Sequence, residues 1–288
     1  MIELLVLAVV RAQIAAALGV ILVLLLRLPV RHLLGPRQAY GLWALPPVAA
    51  IASLMPSLSE TFEIGATTPP PALGSALVAL CVWLAGAALF AAFIVRQERA
   101  FRRLADLGLA GPAVMGALWP RLVTPADFEQ RFSAHERHLI VLHERTHIRR
   151  GDPMANLVVA GCRALSWFNP LVHVGAAFLR VDQELACDAT VLALKSDMRA
   201  DYARTLLKVS TSGTSSPLAC GWGTHPLILR VGFLGRTEPS RAREIVGFLA
   251  LTALAVATFV AVWSAAPRGF DQHAFAPDAL YAARFLGE

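Results

Sequence analysis

The chain has 288 residues, 56% of them hydrophobic and 16% charged, with a mean hydropathy of +0.57. That is far more apolar than a soluble globular domain, so composition excludes a soluble enzyme and predicts an integral membrane protein. The net charge of +6 comes from 26 Lys and Arg against 20 Asp and Glu, an excess that arginines beside anionic lipid explain without any nucleic acid.

Four apolar stretches follow in chain order. Leu4 to Leu26 is interrupted only by Arg11, which lies close enough to one end to snorkel outward. It lacks a basic start and is too long for a cleaved leader, so a retained anchor is expected. Gln38 to about Leu58 reads as a second span, kinked by Pro46 and Pro47. Leu73 to Val95 and Ile245 to Ala266 are uncharged and long enough to cross about 30 Å of hydrocarbon as helices.

Charge orients these spans. Arg27, Arg31 and Arg37 follow the first, only Glu60 and Glu63 follow the second, and Arg96, Arg99, Arg102 and Arg103 follow the third. The positive connections belong in the cytosol. The expected organisation is three spans within 1–96, a cytosolic domain over 97–244, a fourth span at 245–266 and a short extracytoplasmic tail at 267–288, with both termini outside. Cys81, Cys162, Cys187 and Cys220 form no CxxC pair, and reduced, packed thiols are expected.

Within the cytosolic segment the helix signals are local. Ser133 and Glu136 make a capping box, predicting a helix from Ala134 to about Arg150. Gly151-Asp152-Pro153 breaks it and starts another, with Asp152 as N-cap and Pro153 at the first helical position. Asn169-Pro170 repeats the device, predicting a third helix from Pro170 to about Leu194. Thr211 to Ser216 reads as a loop and Pro217 to Gly235 as the return to the last span. The domain is expected to be almost wholly α-helical.

The first of these helices carries His143-Glu144-Arg145-Thr146-His147. Histidines four apart lie on one face, one turn up, so both imidazoles reach a single ion. Glu144 falls beside the metal's open position, where a carboxylate takes a proton from zinc-bound water. A catalytic zinc needs a third protein donor. Glu184 is the leading candidate, with Asp188 four residues on and on the same face, able to orient a ligand histidine. The rival reading makes Asp182, Glu184 and Asp188 the wet face of an amphipathic helix. His173 lies in an apolar run and reads as packed, and Asp152 as a cap. Tyr202, Arg204 and His225 are the polar groups to test as oxyanion stabilisers.

Three blocks taken together, His143-Glu-Arg-Thr-His-Ile-Arg-Arg-Gly-Asp152, Trp167-Phe-Asn-Pro-Leu171 and Glu184-Leu-Ala-Cys-Asp188, resemble the BlaR/MecR-type membrane metallopeptidases. The resemblance implies His143, His147 and Glu184 as zinc ligands, Glu144 as catalytic base and Asp188 as a carboxylate behind a ligand. It implies an all-α polytopic protein of the bacterial cytoplasmic membrane, with four transmembrane helices and a helical zincin-like (gluzincin) domain between spans three and four. Family members of known role sense β-lactams through a penicillin-binding domain after the fourth span and provoke cleavage of a DNA-binding repressor. Here about twenty residues follow Ala266 without a Ser-x-x-Lys nucleophile, so that sensor is expected to be missing and the signal to come from the spans, the tails, a separate sensor partner or a second copy.

The resulting expectation is a membrane-bound zinc endopeptidase that cleaves a regulatory protein, a repressor being the family's substrate. The alternative is a catalytically silent signalling or scaffold protein with a structural metal.

Overall fold

The computed structural model describes residues 2–55, 73–194, 196–210, 220–221, 227–236 and 239–265. Helix α1 (Ile2–Leu33) extends past the apolar stretch to carry Arg27 and Arg31. The expected second span is not one continuous helix over its described part. It is divided into α2 (Pro36–Gly41), a 3₁₀ turn (Leu42–Ala44) and α3 (Leu45–Ser53). Pro46 and Pro47, at the start of α3, lack the N–H groups that an unbroken helix would need from them. Residues 56–58 lie outside the described part.

Helix α4 (Leu73–Asp106) and the last helix, α11 (Arg241–Ser264), contain the other two uncharged stretches. Together with α1 they are the described helices long and apolar enough to cross a membrane. The expected second span is therefore represented, in its described part, only by the divided α2–α3 segment, which packs against α1 and α11.

Between α4 and α11 the chain forms β1 (Ala113–Met115), β2 (Arg121–Val123), α5 (Phe128–Arg131), α6 (Ala134–Arg150), α7 (Asp152–Leu165), α8 (Pro170–Leu194), a 3₁₀ turn (Ser196–Met198), α9 (Arg199–Ser210), β3 (Cys220–Gly221) and α10 (Leu227–Leu234). The all-α expectation is corrected by a small antiparallel sheet in the order β2-β1-β3, with Val114 opposite both Leu122 and Cys220. Its strands are two or three residues long, too short to show the alternation that betrays a strand. The loop expected at Thr211 to Ser216 lies outside the described residues.

Helices α6 and α8 occupy the expected ranges. Ser133 Oγ accepts from the Glu136 N–H, and the Glu136 carboxylate accepts from the Ser133 N–H. The N-cap expected of Asp152 is not made. Gly151, at φ +74°, closes α6 and opens α7, a left-handed conformation that glycine adopts without steric cost. This frees the Asp152 side chain for another role.

Leu139 and Ile140 of α6, Cys187 and Val191 of α8, and Tyr202 and Leu206 of α9 share one core with Phe132. A second core joins Val23 of α1, Leu42, Trp43 and Leu45 of the divided segment, and Leu179 of α8. On the other side α7 lies along α4. The Trp167 indole rests directly on Gly86, where a side chain would collide with it, and Trp83 donates to the Leu165 carbonyl at 2.8 Å. Helices α7 and α8 are thus built onto the apolar helices on two sides. Among the described cysteines, Cys81, Cys162 and Cys187 are free thiols.

Candidate metal centre

Four residues apart on α6, His143 and His147 are both fully buried, with their Nε2 atoms 3.0 Å apart. Glu184 on α8 faces both, its Oε2 lying 3.5 Å from His143 Nε2 and its Oε1 3.5 Å from His147 Nε2. Asp182, Glu184 and Asp188 are all buried, which overturns the reading of this helix face as a solvated stripe.

The far side of each imidazole is engaged. His147 Nδ1 lies 2.6 Å from Asp152 Oδ2, and a carboxylate there requires the ring to carry its proton on Nδ1. His143 Nδ1 lies 2.7 Å from the Tyr202 hydroxyl. That hydroxyl donates to Asp188 Oδ1 at 2.6 Å and so accepts from the ring. Asp188 therefore acts on His143 chiefly through Tyr202, its own oxygen being 3.5 Å from Nδ1.

Both Nε2 atoms consequently present lone pairs, with a carboxylate, to one buried point. Zn–N bonds of about 2.0–2.1 Å at a tetrahedral angle hold two nitrogens about 3.3 Å apart. The donor set fits a zinc ion in number, kind and spacing. Cys187 Sγ is also within 4.8 Å of histidine nitrogens, but it approaches His143 from the Nδ1 side, at 3.6 Å, and contacts the His143 carbonyl at 3.5 Å. Without a metal, burial pushes this thiol up to about 11. Glu184, by contrast, stands on the Nε2 side of both rings.

Electrostatics divide the two glutamates. Burial pushes Glu144 up to about 8, against the pull of His147, and neither of its oxygens makes a hydrogen bond of normal geometry among the described residues. Burial would raise Glu184 too, but Arg230 and then His147 outweigh it and hold that carboxyl well below its ordinary value. His143 is pushed down to about 4 by burial, so it stays neutral. The site thus pairs an ionised carboxylate, Glu184, with a protonatable one, Glu144.

Arg230, which sequence reasoning missed, is buried on α10 between the acids. Its Nη1 is 3.2 Å from Glu184 Oε2, while Nε and Nη2 donate to Asp188 at 2.8 Å each. A lone arginine in the apolar run Leu227–Leu234 was the available signal, since a buried charge demands a partner.

Of the other sequence candidates, Tyr202 belongs to the His143 network and is wholly buried behind the ring, not at the open side where an oxyanion forms. Arg204 is exposed and pairs with Asp201 at 3.2 Å. His225 lies outside the described residues. His173 contacts the Trp167 carbonyl at 3.0 Å and the Phe90 ring, remote in the fold from α6. Asp152, expected as a cap, instead holds His147.

The chain is also related to known proteins. A family model described as BlaR1 peptidase M56 matches residues 7–76 and 104–234, more than half of the chain. The chain belongs to this family. It is 32% identical over 114 residues to the regulatory protein BlaR1 of Bacillus licheniformis, a match covering 38% of this chain and 19% of that protein. It is 28% identical over 100 residues to the methicillin resistance mecR1 proteins of Staphylococcus aureus and Staphylococcus epidermidis, covering 34% of this chain and 17% of each relative. The match thus spans about a fifth of the length of these relatives. Membership and the three long apolar helices make this a membrane protein of a metallopeptidase family.

Proposed function

We propose that this chain is a membrane-bound zinc endopeptidase in which His143, His147 and Glu184 hold the ion and Glu144 is the general base. The observation that carries the reading is the convergence of two Nε2 lone pairs and the Glu184 carboxylate on one buried point, with the buried Glu144 carboxyl in electrostatic reach of His147 and Glu184. A bound zinc supplies Lewis acidity, lowering the pKa of a coordinated water and polarising the scissile carbonyl. Glu144 accepts the proton of the attacking water and delivers it to the leaving amine. Asp152 and Tyr202 keep the two imidazoles in the Nδ1–H form. Arg230 keeps Glu184 ionised.

The arginines flanking the spans favour a domain on the cytosolic face of a bacterial membrane, with both termini outside and α2–α3 completing four spans. The substrate is a regulatory protein, and a repressor is the class that the family resemblance favours. The signal arrives through the apolar helices, a sensor partner or a second copy.

The test is a comparison of cells carrying wild-type protein with cells carrying Glu144→Gln. One or a few proteins are expected to be shortened only in the wild type and to carry a new N-terminus there. Identical N-termini in the two proteomes under conditions where the protein is expressed and signalling would favour the silent scaffold with a structural metal.

A further inference from the structure

We propose that Tyr40, on the divided segment 36–53, is a positioning residue of the metal centre, so that this segment is part of the site as well as an anchor. The inference rests on His147 being a metal ligand and goes beyond that reading by extending the site to the N-terminal apolar unit. Tyr40 is 112 residues from Asp152 in sequence, yet its hydroxyl donates to Asp152 Oδ1 at 3.0 Å. The other carboxylate oxygen, Oδ2, takes the His147 Nδ1 proton at 2.6 Å. The Tyr40 hydroxyl is held in turn by Gln183 Nε2 at 3.1 Å, next to Glu184.

The ring is fixed as well. The Arg150 guanidinium stacks over it at 4.9 Å, donates to the Gln183 carbonyl at 3.4 Å and lies 3.6 Å from Asp152 Oδ2. Tyr40 therefore links the helix of the two histidines to the helix of the glutamate. A carboxylate bonded at both oxygens cannot rotate about its axis without breaking one bond, and that rotation is what would tilt the His147 ring away from the ligand direction.

The same segment makes a second attachment. Trp43 Nε1 donates to Asp182 Oδ2 at 2.9 Å, and Arg27 of α1 takes both oxygens of Asp182 at 2.8 and 3.0 Å. This one ties α1 and the 3₁₀ turn to α8 without touching a histidine, and it supplies a control. If Tyr40 only helped the segment to pack, loosening it at Trp43 would affect the metal in the same way.

The experiment uses the full chain in lipid nanodiscs, stripped of metal and titrated with zinc against a chromophoric chelator, then with cobalt for its visible spectrum. Tyr40→Phe keeps the ring under Arg150 and removes only the hydroxyl. It is expected to weaken zinc binding about tenfold, at the low end of the 10–100-fold range for outer partners of metal ligands, and to shift the cobalt bands. Trp43→Phe is expected to leave both unchanged. In an Asp152→Asn background, itself weakened, Tyr40→Phe is expected to add nothing further, because the two act through one bond chain. Wild-type affinity in Tyr40→Phe, equal weakening by Trp43→Phe, or additive losses with Asp152→Asn would each overturn the inference while leaving the peptidase reading intact. A wild-type chain that binds no zinc would remove both.

Discussion

His143 Nε2 and His147 Nε2 lie 3.0 Å apart, each on a ring whose Nδ1 is engaged on the opposite side. With Nδ1 carrying the proton on both rings, the two Nε2 lone pairs face each other in a buried site, an arrangement that a cation between them would stabilise. In the proposed site the three neighbouring acids divide the work: Glu184 as donor, Asp152 behind one ring, and Asp188 behind the other through Tyr202.

The first prediction concerns the third donor. Glu184→Ala is expected to lower zinc affinity by two orders of magnitude or more, since it removes a ligand and leaves Arg230 facing the ion. Cys187→Ser should leave affinity within about threefold of wild type, because Sγ stands on the Nδ1 side of His143. Chelator competition on purified protein measures both, and the opposite ranking would transfer the role to Cys187.

Removing a ring's partner tests the tautomer argument. Asp152→Asn cannot demand the Nδ1 proton of His147 as a carboxylate does, and Tyr202→Phe removes the acceptor of the His143 proton. Each is expected to cost about 10–100-fold in zinc affinity with the helical far-ultraviolet signal retained. Undiminished affinity in both variants would show that the rings are held by packing alone.

In the metal-free protein, burial keeps Glu144 protonated up to about pH 8 and His143 neutral down to about pH 4. In the unfolded chain these groups titrate near 4.5 and 6.5. Between pH 6.5 and 8 the folded state keeps a proton that the unfolded state has lost, so stability falls as pH rises, by up to about 1.4 kcal/mol per unit. Between 4.5 and 6.5 the two groups oppose each other. Below 4.5 the His143 contribution continues to fall until about pH 4 and then levels off, while Glu184, held well below its ordinary value, loses its stabilising charge as pH falls further. Thermal unfolding of apo protein at pH 6.5 and 8 checks this: Glu144→Gln should abolish the alkaline decline, and persistence of the decline in that variant would assign it elsewhere.

Asp182 is the buried counter-ion of Arg27, with Arg31 at 3.5 Å. Asp182→Leu would leave two buried guanidiniums facing an apolar group, which typically costs about 3–5 kcal/mol. A large drop in unfolding temperature in detergent is expected, restored in part by adding Arg27→Met. A neutral Asp182→Leu would mean that the α1–α8 attachment contributes nothing to stability.

The sequence made α6 and α8 legible because their signals are local. A capping box at Ser133 and Asn-Pro at 169–170 act within one turn, and the histidine pair and Glu184 lie on those helices. What it concealed depends on distant partners. Asp152 carries every mark of an N-cap, yet Gly151 adopts the capping conformation and releases the carboxylate to His147. Asp182 looks solvated until Arg27, 155 residues away, is brought onto it. Tyr40 and Arg230 are ordinary residues in apolar runs, given meaning only by the packing of α2 and α10 on α8. The sheet escaped because its strands are shorter than any periodicity.

The central claim, that this is a zinc peptidase using Glu144 as base, is tested most directly by comparing purified wild-type protein with Glu144→Gln in nanodiscs. Metal content would be measured by mass spectrometry, and hydrolysis on a proteome-derived peptide library. The account predicts about one zinc per chain in both proteins and cleavage in the wild type alone. Equal cleavage by Glu144→Gln, or a wild-type chain purified and reconstituted without zinc, would contradict it.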